Sequence, residues 1–96
     1  MSVIGEDASA ELMDCSIRKN RHAGLVAEHQ ATVTLRGDTV SGNEGNGVVA
    51  YNKGRITVST EQPTVCTGHE SDWVVQEIGE LEGVAQEKIY YAGGME

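Results

Sequence analysis

The fold is decided by the stretch ATVTLRGDTVSGNEGNGVVAYNKG, residues 31–54. Its apolar residues occur in short runs, first at Val33 and Leu35, then at Val40, and finally at Val48 and Ala50. Within a run the apolar residues alternate with polar ones, a period of two that is typical of strands and not of helices. Because clusters of Gly, Asn, Asp and Lys separate the runs, the stretch predicts three short strands joined by turns.

The same arrangement recurs before and after this stretch. Residues 8–30 align with it at a spacing of 23, which superimposes Leu12 on Leu35, Ile17 on Val40, Asn20 on Asn43 and Gly24 on Gly47. A third copy begins at Arg55, and beyond the loop around Pro63 the spacing becomes 25, so that Val40 aligns with Val65. Repeats of this length, each with three strands, predict an all-β fold, a short parallel β-helix of about three to four coils.

Stacked coils bring equivalent residues into columns, and four columns are predicted to form the interior. They are Ala10, Val33 and Ile56; Leu12, Leu35 and Val58; Leu25, Val48 and Trp73; and Ala27, Ala50 and Val75. Because side chains alternate along a strand, Val26, Val49 and Val74 are then expected to face outward in an exposed row. Such a row predicts an interaction site, unless the C-terminal segment Lys88–Tyr91 covers it.

The whole chain, residues 1–96, is expected to form a single domain. Residues 8–84 carry the repeats, while residues 1–7 and residues 85–96 each form a cap or a tail. So short a coil exposes strand edges and core at both ends. We therefore expect these terminal segments to cap the ends, or the ends to stack against other molecules.

Four phrases of the repeats resemble those of pectate-lyase-like right-handed β-helices: Ile17-Arg-Lys-Asn20, Gly24-Leu-Val-Ala27, Val40-Ser-Gly-Asn43 and Gly47-Val-Val-Ala50. The resemblance implies that the coil is right-handed. It implies no single function, because that superfamily spans polysaccharide lyases and hydrolases, phage fibres and interaction modules.

Composition narrows the classes of partner. Seven basic and fifteen acidic residues give a formal charge of −8, which repels phosphate backbones and anionic membrane surfaces. Neither a nucleic acid nor a membrane is therefore expected as a partner. Residues 1–7 lack the basic segment and long apolar core of a secretory signal, which favours a cytoplasmic location.

The sequence predicts no catalytic residue, cofactor or metal site. His22, His29 and His69 do not recur at one repeat position, so they are expected to be exposed corner residues and not ligands. Cys15 is expected to border the interior, whereas Cys66 aligns with an outward or corner position. Neither cysteine has an evident base partner for nucleophilic chemistry.

Polysaccharide cleavage would need clustered carboxylates, and none is evident. The aspartates at positions 7, 14, 38 and 72 do not share a repeat position and are expected to be surface acids. The leading expectation is a non-enzymatic interaction or assembly module that offers a rigid surface to a protein partner or to a second copy of itself. The alternative is a carbohydrate-binding or carbohydrate-processing fragment of a larger β-helix protein, although Trp73, the natural residue for stacking on sugars, is predicted to face inward.

Overall fold

A computed structural model, which describes residues 1–92, shows a parallel β-solenoid of twelve strands in three sheets. Numbered in chain order, sheet A contains β1 (Ser2–Ile4), β4 (Leu25–Glu28), β7 (Val48–Tyr51), β10 (Trp73–Gln76) and β12 (Ile89–Ala92). Sheet B contains β2 (Ser9–Met13), β5 (Thr32–Arg36), β8 (Arg55–Val58) and β11 (Glu80–Glu82). Sheet C contains β3 (Ser16–Arg18), β6 (Thr39–Ser41) and β9 (Val65–Thr67). The predicted all-β parallel coil is confirmed.

The strand register reproduces the four predicted interior columns. Leu25 pairs with Val48 and Val48 with Trp73, while Val33 pairs with Ile56 in sheet B. These side chains belong to one buried cluster of Val, Leu, Ile and Ala that also includes the single Trp. Small branched residues suit this interior because each coil must lie one strand spacing, about 4.8 Å, from the next.

The corner between sheets A and B is formed by two successive residues with positive φ. His29 and Gln30 have φ of 56° and 69°, Asn52 and Lys53 have 49° and 67°, and the corner recurs at residues 77 and 78. Left-handed backbone reverses the chain within two residues, and for ordinary side chains it costs energy. The recurrence shows that one turn geometry is repeated in three successive coils; the first corner, between β1 and β2, has only Gly5 at positive φ.

Sheet C departs from the predicted register. The spacing between paired residues is 23 from Leu35 to Val58 but 26 from Val40 to Cys66, so the loop around Pro63 contains three additional residues. Cys66 therefore occupies the interior column below Val40 and is buried, whereas Val65 is exposed. The prediction that Cys66 takes an outward or corner position was wrong, because a slip of one residue exchanges the two faces of a strand.

Asp38 is also placed differently from the prediction. Its side chain is buried and not a surface acid. The two carboxylate oxygens accept the backbone N–H groups of Cys15 at 2.7 Å and Arg36 at 3.0 Å, and the Asp38 N–H donates to Thr64 Oγ1. These bonds replace water around the acid, which is the condition for burying it at the corner between sheets B and C.

The terminal segments extend sheet A. Strand β1 pairs with β4 at one end, and β12 pairs with β10 at the other. The segment Lys88–Tyr91 thus continues the sheet edge instead of lying across the row formed by Val26, Val49 and Val74. Residues 93–96 of the predicted C-terminal cap or tail lie outside the described residues. No helix within residues 1–92 has the length and apolar character needed to span a membrane.

Candidate functional site

A polar cluster occupies the corner between sheets C and A in the third coil. The cluster continues a hydrogen-bonded ladder of side chains. In this ladder Asn20 Nδ2 donates to Asn43 Oδ1 at 2.7 Å, and Asn43 Nδ2 lies 2.9 Å from His69 Nε2. His69 therefore occupies the place that an Asn holds in each of the two preceding coils. Its imidazole turns the other ring nitrogen towards Cys66 and Asp72.

The hydrogen bonds determine which ring nitrogen of His69 carries the proton. The backbone N–H of Asn20 donates to Asn43 Oδ1 at 3.0 Å, so the Asn43 amide cannot rotate without losing this bond. Asn43 Nδ2 is thereby held as a donor facing His69 Nε2, which must accept. The proton then lies on Nδ1, which donates to Asp72 Oδ1 at 2.8 Å.

Cys66 closes the cluster. Its thiol donates to the backbone oxygen of Asp72 at 3.2 Å, and its Sγ lies 3.8 Å from His69 Nδ1. Burial, together with the negative charge of Asp72, raises the pKa of the Cys66 thiol to about 12. The sulfur is therefore a protonated hydrogen-bond donor at neutral pH and not a nucleophile.

Glycine at position 47 allows this cluster to form. A Cβ there would lie 2.5 Å from the backbone oxygen of Asp72 and 2.9 Å from His69 Nδ1, and it would also collide with Cys66 Sγ. Gly47 therefore allows close packing at the start of β7, where no larger residue would fit.

The cluster has the residue types of a catalytic triad but not its geometry. A triad needs the nucleophile and the acid on opposite ring nitrogens of the histidine. Here Cys66 and Asp72 both lie at Nδ1 of His69, while Nε2 is occupied by Asn43. No proton path runs from the thiol through the ring to the carboxylate.

A metal ion also fits the cluster poorly. The potential ligand atoms of Cys66, His69 and Asp72 lie within 4.8 Å of one another, which resembles the convergence of a zinc site. Coordination through His69 Nδ1 would move the ring proton to Nε2, where it would face the Asn43 amide donor. The arrangement is thus that of a hydrogen-bonded corner.

The predictions for the histidines and cysteines have mixed outcomes. His22 and His29 are exposed and Cys15 is partly exposed, but the imidazole of His69 is fully buried, so exposure was predicted wrongly for this residue. The missed signal was the alignment of His69 with Asn43 at a spacing of 26. That alignment becomes visible only once the loop around Pro63 is given three extra residues.

The valine row forms as a column in sheet A, with Val26 beside Val49 and Val49 beside Val74. Val49 and Val74 lie outside the buried core cluster, as expected for side chains on the other face of the strands. The predicted exposure was wrong, however: they are only 6% and 2% exposed, and Val26 is half-buried. Whether the column binds a partner stays a prediction.

The exposed large apolar side chains among the described residues lie at the two ends of the solenoid. They are Met1, Ile4 and Met13 near the N-terminal end, and Val65, Ile78, Tyr90 and Tyr91 near the C-terminal end. At the N-terminal end Ala10 and Leu12 are half-buried, although Val33 and Leu35, directly beneath them, are inaccessible. The core is therefore partly open at this end, along β2, whereas Val3 and Ile17 of the same coil are buried.

The two ends differ in shape. Strands β1, β2 and β3 begin the three sheets together, so we call this face the flush end. At the other end sheet A has five strands, sheet B four and sheet C three, so β12, β11 and β9 end at successive levels. We call this face the stepped end.

Stacked parallel coils with interior columns and corner ladders define a β-solenoid repeat protein. The chain belongs to the family described as the right handed beta helix region, which matches residues 3–62. The family match agrees with the handedness implied by the sequence. Neither the curated proteins nor the solved structures contain a significant match to the chain.

Proposed function

We propose that this protein is a non-enzymatic assembly module that self-associates through its flush end. The observation that supports this most directly is the partly uncovered first coil, where Ala10 and Leu12 of β2 are half-buried core residues. The outer edges of β1, β2 and β3 are also unpaired within the described chain. Open edges and exposed core are the features that a second β-sheet molecule covers.

Shape and charge both favour the flush end over the stepped end. Residues 1–22 carry four acidic and three basic side chains, whereas residues 59–92 carry seven acidic and only one basic. Two stepped ends would therefore repel each other, and a flush end cannot meet a stepped end without leaving gaps. Two flush ends can meet in a symmetric pair, in which the same surface of both copies is buried.

The dimensions predict a weak dimer. The described chain measures 29 × 27 × 26 Å, so pairing two ends buries roughly 1,000 Å² in total, near the lower limit for a specific interface. We therefore expect reversible association in the micromolar range. The valine column contributes less to this proposal, because Val49 and Val74 are already buried in the monomer.

Sedimentation velocity across the micromolar range tests the proposal. Ile4→Lys places a charge beside the flush end, and Ile78→Lys makes the same change near the other end at a side chain of similar exposure, 60% against 54%. Wild type and Ile78→Lys should show a rising mass with concentration, while Ile4→Lys should remain monomeric. A wild-type chain that stays monomeric throughout, or equal loss of the dimer in both variants, would reject the flush end as the interface.

A further inference from the structure

We propose that the open edge of β9 is a docking site for an extended basic peptide, which adds a fourth strand to sheet C. After β11 the chain does not return to sheet C but passes through a single 3-10 turn, Gln86–Lys88, directly to β12. Strand β9 is consequently the last strand of sheet C within residues 1–92. A groove of about 540 Å³ runs along it, lined by residues 64–67 and by Asp72, Trp73 and Lys88.

The backbone of β9 directs hydrogen-bonding groups into this groove. The N–H of Val65 donates to Asp38 O at 2.9 Å, on the side of β9 that faces β6. Because these groups alternate along a strand, the N–H and C=O of Cys66 point to the opposite side. Since β6 is the only strand paired with β9 in the described chain, the Cys66 groups are available to an added strand.

The side chains around the groove define the residue that the added strand must present. Ile17, Val40 and Cys66 form one interior column, so the next residue in that column must also be apolar. It would approach Trp73, which lines the groove and is the largest side chain of the core. A branched aliphatic residue such as Ile continues the column and gains contact with an aromatic anchor.

Charge selects a basic peptide. Lys88 is the single basic residue among residues 59–92, which carry seven acids. Asp72 lines the groove with its side chain 34% exposed, and the neighbouring Glu70 is exposed. Cations that follow the apolar residue of the added strand would lie along this acidic corner and strengthen binding at low salt.

The step at this end determines that the occupant is an extended segment and not a folded coil. Sheet C ends two strands earlier than sheet A, so β9 is recessed behind β12. The three first strands of another copy end flush with one another, so they would meet β12 before reaching β9. A free peptide strand has no such obstruction.

The chain itself supplies a suitable probe. A synthetic peptide with the sequence of residues 16–21, Ser-Ile-Arg-Lys-Asn-Arg, corresponds to β3 and the turn that follows it. That sequence already forms a sheet C strand with Ile17 in the interior column, and it carries three cations. We expect the acetylated, fluorescently labelled peptide to bind the full chain in an anisotropy titration, with affinity falling as salt increases.

Two N-methylated peptides distinguish strand addition from simple charge attraction. In a parallel pair with Cys66 opposite the Ile of the peptide, the N–H of the following Arg donates to Cys66 O, whereas the N–H of the Ile points away. Methylation of the Arg nitrogen should weaken binding about tenfold, the equivalent of one lost hydrogen bond. Methylation of the Ile nitrogen should change the affinity little.

Protein variants locate the site. Glu70→Lys should weaken binding about threefold or more, while Glu6→Lys, the same charge change at an exposed acid of the other end, should not. The titration is made with the Ile4→Lys chain, so its outcome does not depend on self-association. No binding of the parent peptide, equal effects of the two methylations, or equal effects of the two charge changes would overturn the proposal.

Discussion

The substitution Asn43→Ala should destabilise the fold more than any other single change in the Asn ladder. Asn43 accepts the Asn20 backbone N–H at 3.0 Å and Asn20 Nδ2 at 2.7 Å, and it donates to His69 Nε2 at 2.9 Å. At about 1 kcal/mol for each net hydrogen bond, the substitution removes roughly 3 kcal/mol. The substitution also leaves Nε2 of the His69 ring without a donor, and because the ring is buried, water does not readily replace the lost hydrogen bond.

The matched control is Asn20→Ala. This residue is only half-buried, and its side chain contributes a single bond, the one to Asn43 Oδ1. We expect a loss of about 1 kcal/mol, so that the two variants differ by roughly 2 kcal/mol. Urea unfolding followed by circular dichroism measures both, and an unchanged dependence on denaturant would show that the comparison concerns the native state. The central role of Asn43 in the ladder would be refuted if the two variants lost equal stability, or if Asn43→Ala lost less stability than Asn20→Ala.

Four other predictions, which use five substitutions, test separate parts of the structure. His69→Asn should be tolerated to within about 1 kcal/mol in urea unfolding because Asn occupies this ladder position in the other coils, whereas severe loss would indicate a role specific to imidazole. Ile78→Asn should stabilise by up to about 1 kcal/mol, since a β-branched residue with a φ of 60° is replaced by one that tolerates this backbone; no gain in the urea midpoint would contradict the strain. The pKa of the Cys66 thiol is raised from 9.0 to about 12, so its contribution to stability is complete below pH 9.0 and is lost as the pH rises towards 12. Wild type should therefore lose more stability than Cys66→Ala between these pH values. Parallel pH profiles of the two proteins would contradict the raised pKa. Val48→Asp should unfold the chain by burying an unpaired charge, while Val49→Asp, on the opposite face, should remain folded with reduced stability; indistinguishable circular dichroism of the two would contradict the strand register.

The repeat made most of the fold predictable. Coils that stack at strand spacing need side chains of similar size above one another, and this requirement is visible as Val33 aligned with Ile56 or Leu25 with Val48. The outward face of sheet A was harder to assess. Alternation correctly separates Val49 from the core, but it does not show how much of its surface neighbouring side chains cover.

The pairing that resumes after the loop around Pro63, which joins β8 to β9, was mispredicted for a physical reason. Extra residues in a surface loop carry little energetic signature, so the sequence shows that the loop around Pro63 is longer but not where pairing resumes. Resuming one residue late exchanges Val65 and Cys66 between the two faces of β9. The polar cluster of Cys66, His69 and Asp72 follows from that single slip, and it was invisible to an alignment based on apolar residues alone.

Within residues 1–92, hydrogen-bonding groups without a partner are concentrated at the ends of the solenoid, which is why we propose interaction surfaces there. Interior columns use their side chains for packing, and the corners at Asn43 and Asp38 use theirs to satisfy neighbouring backbone groups. Buried side-chain polar atoms without a partner are absent from the described residues, so the middle coils offer few unsatisfied groups that could bind another molecule. Within the described residues, unpaired strand edges remain at the flush end and at the stepped end, where β9, β11 and β12 end their sheets. Because edges bind by backbone hydrogen bonds, side chains and charge must supply the selectivity, and these differ sharply between the balanced first coil and the acidic last one.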